Sequence, residues 1–83
     1  MTIEIRLFGF GEDRPTRFNG KNHLQLDIET PTSARALLRS VGIEEAADLI
    51  LMDAEIVIPP DQWGKPRIVD HSTLTVMSAI EGG

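Results

Sequence analysis

Eighty-three residues with a hydrophobic fraction of 41% and a charged fraction of 25% describe one ordinary globular domain. The net charge of −5 argues against nucleic-acid binding, whose readers carry basic patches, and no apolar run approaches the roughly 20 residues of a membrane span. The absence of cysteine removes disulfides, thiolate zinc sites, cysteine-ligated iron–sulfur clusters and cysteine nucleophiles at once.

The chain opens on Ile3, Ile5 and Leu7 alternating with Glu4 and Arg6, the two-residue period of a half-buried strand. Phe8 and Phe10 shift that phase around Gly9, as a bulge or a strand end does. The stretch GEDRPTRFNGKN is dense in turn formers and predicts a long hairpin connection. Leu24, Leu26 and Ile28 then alternate with Gln25, Asp27 and Glu29 as the second strand. His23 and His71 have no second histidine at ligand spacing, so each reads as a solvated strand-end or turn residue and no metal is expected.

One helix follows. Ala34, Leu37, Leu38 and Val41 form a single apolar stripe at helical spacing. Thr30 or Thr32 caps it, Pro31 is tolerated in its first turn, and Gly42 ends it in a left-handed conformation with Ile43 packing back. The expected length is about ten residues. LILM, stopped by Asp53, is a continuous apolar run and predicts a central strand buried on both faces. EIVI is a short strand that Pro59 and Pro60 terminate, and the prolines and Gly64 keep the next segment irregular. Trp63 in that segment reads as a cover over one end of the core. TLTVMSAI closes the chain as a last strand, with Leu74 and Val76 on one face.

Strands on both sides of a single helix predict an α+β fold, a mixed sheet of four to five strands with the helix on one face. Pairing the first and last strands in the middle gives the β-grasp, or ubiquitin-like, arrangement. Glu4, Arg6, Gln25 and Asp27 then lie on the face opposite the helix. The domain spans residues 1–80, and residues 81–83 leave it as an exposed arm; from Ser78 to Gly83 that arm reaches at most about 20 Å.

Gly82 and Gly83 carry no Cβ, so a carboxylate at Gly83 passes through a narrow slot that other residues would block. A carboxylate becomes an acyl donor once activated, for instance as a mixed anhydride with AMP, and a sulfur or nitrogen nucleophile then attacks it. Ile80 is the apolar anchor for a partner's groove, with Glu81 directed away. Phe8 and Met77, together with Ile80, are candidate docking residues on the helix-free sheet face beside the arm.

IEIRLFG, TPTSARALLRSVGI, DAEIVIPPDQW and DHSTLTVMSAIEGG together resemble the ThiS/MoaD sulfur carriers over essentially the whole chain. The resemblance implies a protein that is not itself an enzyme. Gly83 would be adenylated by a ubiquitin-activating-type enzyme using ATP and converted to a thiocarboxylate, with Gly82 as its slender neighbour. It implies a sulfur donor protein upstream and a cofactor-building partner downstream. That partner is the molybdopterin synthase large subunit on a MoaD-like reading, slightly preferred, or thiazole synthase on a ThiS-like one. No permanently bound cofactor is implied. The N-terminus lacks the pattern of a secretory signal, so the expected compartment is the cytoplasm. Two other readings share the fold: a ubiquitin-like modifier joined to target lysines through the same glycine, and an interaction module whose arm is inert.

Overall fold

A computed structural model describes residues 1–28, 31–45 and 48–78. Strand β1 (Thr2–Phe8) pairs antiparallel with β2 (His23–Asp27), placing Ile3 opposite Leu26 and Ile5 opposite Leu24. Helix α1 (Ala34–Val41) crosses to β3 (Leu49–Asp53) and β4 (Ile56–Ile58), and β5 (Thr73–Ser78) returns to the middle of the sheet. The spatial order is β2-β1-β5-β3-β4, with β1 and β5 parallel and every other neighbour antiparallel. This is the β-grasp topology expected from the patterning, with the terminal strands paired at the centre.

The core lies between the sheet and α1. Ile3, Ile5 and Leu7 of β1 and Leu74 and Val76 of β5 meet Leu37, Leu38 and Val41 of the helix, all buried. At eight residues α1 is shorter than expected and would be marginal alone, so its stability comes from burying that stripe. Gly42 ends it at φ 85°, and Ile43, buried, donates its N–H to the Leu38 carbonyl at 2.9 Å.

Its start differs from the sequence expectation. Ser33 is the N-cap and accepts the Ala36 N–H at 3.0 Å. Thr32 is engaged elsewhere: its backbone exchanges hydrogen bonds with Ile68, at 3.0 and 2.9 Å. Pro31 precedes the cap and so lies outside the helix, and Thr30 lies outside the described residues.

Three further departures have packing causes. The long connection after β1 is not merely a turn, because a 3₁₀ turn at Thr16–Phe18 plants Phe18 in the core at 1% exposure. Asn19, at φ 53°, turns the chain back toward β2. Strand β3 is an interior strand between β5 and β4, but it is buried on one face only: Leu49 and Leu51 point inward while Ile50 is 39% exposed. Ile68, in the irregular segment, is buried beside Trp63 as part of the same core. Trp63 does cover the core, and its indole N–H donates to the Ile58 carbonyl at 2.8 Å.

Asp70 joins the approach to β5 to the beginning of β1. Its carboxylate accepts the Thr2 N–H at 2.8 Å, and the His71 N–H donates to the Thr2 carbonyl at 2.8 Å. The Thr2 hydrogen bond, helped by the charges of His71 and the N-terminus, holds the Asp70 carboxyl below its ordinary value of 3.8. A carboxyl lowered in the folded state stabilises the fold above the unfolded value, and that contribution disappears as pH falls through the folded one. Asp70→Asn is therefore expected to be less stable than the parent at neutral pH, with the difference closing as pH drops below 3.8. Urea titrations at several pH values check this; a gap independent of pH would contradict it.

Candidate functional site

The site is the end of the sheet at which β5 finishes, at Ser78. The parallel register brings Phe8 beside Met77, and the antiparallel register on the other side brings Ile50 beside Met77. Residues with the same phase as Phe8 point away from α1, so these three make a cross-strand row on the helix-free face. Phe8 is 55% exposed, Ile50 is exposed and Met77 is half-buried. One step along the strands, Arg6, Thr75, Met52 and Val57 form the next row, with Val57 also exposed.

Toward β2 the face turns polar. A shallow groove of about 540 Å³ runs beside Phe8, lined by Arg6, Phe10, Arg14 and His23 among others. Arg6 pairs with Glu4 at 3.1 Å, and Arg14 donates to the Asn22 side chain at 2.8 Å. An apolar row with a polar margin has the anatomy of a protein-docking surface.

The end of β5 is tightly held. Gly9 closes β1 at φ +82°, so the phase shift read in the sequence is a strand end and not a bulge. A Cβ on Gly9 would lie 2.6 Å from the Ser78 carbonyl oxygen. The Ser78 hydroxyl donates to the Asp48 carboxylate at 3.2 Å. The last residue of β5 is thus confined by a backbone approach on one side and a hydrogen bond on the other. Gly9→Ala is expected to cost about 1–3 kcal/mol through left-handed strain and that clash. It should also move the backbone amide signals around Ser78 in an NMR spectrum, whereas Gly20→Ala, with open space around its Cβ position, should leave them in place.

Of the residues singled out in the sequence, Phe8 and Met77 are brought into direct cross-strand register. Ile80, Glu81, Gly82 and Gly83 lie outside the described residues, as does the expected boundary between domain and arm. Ile50, Met52 and Val57 join the patch without having been anticipated. The signal for Ile50 and Met52 was present in LILMD, where the two share one phase once that run is taken as alternating. Among the described residues no group of three or more His, Asp or Glu side chains could hold a metal ion. Among them too, no helix is long and apolar enough to cross a membrane.

No family model and no curated protein matches the sequence. The crystal structure of SAMP1 from Haloferax volcanii is similar at a TM-score of 0.68, covering 100% of both chains at 11% sequence identity. The likeness is one of fold. This chain is a ubiquitin-like β-grasp domain.

Proposed function

We propose that this domain is a carrier that presents the carboxylate of Gly83 for activation and transfer of sulfur. The observation that supports the reading is the confined exit of β5: Ser78 is held by Gly9 and Asp48 beside the Phe8–Met77–Ile50 row. A partner docked on that row would receive the following residues, ending Ile80-Glu81-Gly82-Gly83, from a fixed origin. The domain contributes positioning, and the chemistry belongs to the partner.

In the first step the Gly83 carboxylate attacks the α-phosphorus of ATP in a ubiquitin-activating-type enzyme, and pyrophosphate leaves. In the second a sulfide-level nucleophile, brought by a sulfur donor protein, attacks the acyl carbon and AMP leaves, giving a thiocarboxylate. Glycine at both final positions keeps side chains clear of that attack. The proposed recipient is the molybdopterin synthase large subunit, with thiazole synthase second, in the cytoplasm. The protein acts as substrate or small subunit and is not itself an enzyme.

Incubation of the intact chain with its adenylating enzyme, ATP, Mg²⁺ and sulfide tests the proposal. Intact-mass and C-terminal peptide spectra should show one oxygen replaced by sulfur at Gly83. Absence of ATP–pyrophosphate exchange in the presence of the chain would overturn it. Activation followed only by conjugation to lysine side chains would instead assign the protein to the modifier class.

A further inference from the structure

The two edges of the sheet are guarded very differently. Strand β4 is three residues long and runs directly into Pro59 and Pro60, which blunts it against further pairing. Strand β2, the opposite edge, has five residues and no proline. The Leu7 N–H donates to the Asn22 carbonyl and the Ile28 N–H to the Met1 carbonyl, both at 2.8 Å. Those bonds fix which residues of β2 face β1: Leu24 and Leu26 turn their backbone groups inward. His23, Gln25 and Asp27 turn theirs outward, and among the described residues nothing hydrogen-bonds to them.

This edge is also self-complementary. We infer that β2 is a homodimer interface, at which a second copy of the chain adds its own β2 antiparallel about a two-fold axis through Gln25. In that register His23 stands opposite Asp27 of the second copy, Gln25 opposite Gln25, and Leu24 opposite Leu26. All three outward residues exchange backbone hydrogen bonds, joining two five-stranded sheets into one.

Side chains favour the same register. On the helix-free face the imidazole of His23 can donate to the carboxylate of Asp27, whichever its protonation state. That carboxylate is 89% exposed, and its nearest cation in the monomer is the N-terminal ammonium at 3.9 Å. On the helix face Leu24, half-buried at the sheet margin, would be covered by its counterpart. Centring the axis on Leu24 or Leu26 pairs only two of the three outward residues. Parallel pairing would set Asp27 beside Asp27. An acidic peptide is the competing occupant, since Arg17 and Lys21 line a groove at the His23 end. The exposed Asp27 at the other end opposes a wholly acidic one.

Sedimentation equilibrium of the full chain over a range of concentrations tests the inference, with a reversible dimer expected. Gln25→Pro removes an outward N–H and places the ring at the open edge, where the monomer tolerates it. It should sediment as a monomer with unchanged circular dichroism. Asp27→Lys should weaken the dimer roughly tenfold by removing the carboxylate acceptor opposite His23 at both symmetry-related pairs. Adding His23→Asp to Asp27→Lys should restore it, a rescue independent of how the proline variant folds. Monomers up to about millimolar concentration would overturn the inference. So would a dimer indifferent to Asp27→Lys, or binding of acidic peptides alone.

Discussion

Deleting Gly83 is expected to abolish sulfur loading while leaving the domain folded. The carrier reading requires a terminal carboxylate at a set distance from the docked body, and shortening the arm by one residue withdraws the acyl carbon by about 3.3–3.6 Å. That displacement matters because near-attack geometry tolerates misplacement of about 1 Å only at a cost of roughly 100-fold in rate. Gly82→Val tests a separate requirement, since it keeps the length and adds bulk beside the reacting carbon. Both variants retain Phe8, Met77 and Ile50, so both should still compete with the parent chain for the activating enzyme. Phe8→Asp should do the reverse, weakening competition while leaving Gly83 in place. Its stability should change little, because Phe8 is already 55% exposed. Pyrophosphate exchange and competition assays separate the effects, and loading of the Gly83 deletion at the parental rate would sink the reading.

Phe18→Ala should be the most damaging single substitution away from the arm. Phe18 is among the largest fully buried side chains, at 1% exposure, and it is held there by a 3₁₀ turn in a connection with little other apolar content. Truncating a buried phenylalanine costs about 3–5 kcal/mol. Domains of this class have total stabilities of about 5–15 kcal/mol, so the loss threatens the fold itself. The expected result is a large fall in the urea midpoint, with the neighbouring Thr16–Asn19 turn losing hydrogen-exchange protection first. A loss below about 1 kcal/mol would mean that the turn collapses to fill the space.

The paired strands and the helix were legible because each repeats a period. β1 and β2 alternate, α1 carries one stripe, and Gly42 stands where a helix must stop. Phe18 and Ile68 were missed for the opposite reason: each is a lone apolar residue among turn formers, with no periodic neighbour to mark it. The N-cap was placed on Thr30 or Thr32 and Ser33 was missed, because a hydroxyl is carried by all three. The choice was made by the Thr32–Ile68 bridge, a tertiary contact. LILM looks the same whether a strand is covered on two faces or leaves Ile50 exposed, so one of the three residues of the exposed row was hidden in a run that suggested core. Phe8 and Met77 could each be named from the sequence. Their adjacency depended on the parallel register between strands at opposite ends of the chain.

That parallel pairing of β1 with β5 has a consequence for synthesis. The first strand leaves the ribosome early, yet its central neighbour is Thr73–Ser78, so the sheet cannot close until residue 78 has emerged. Sequence-distant pairing of this kind slows folding and leaves β1 and the β2 hairpin without their cover in the meantime. A product truncated before residue 73 would lack the middle of its sheet and fall to proteolysis. Completion of the fold therefore acts as a length check: molecules that survive have been translated through Ser78, the last residue of β5.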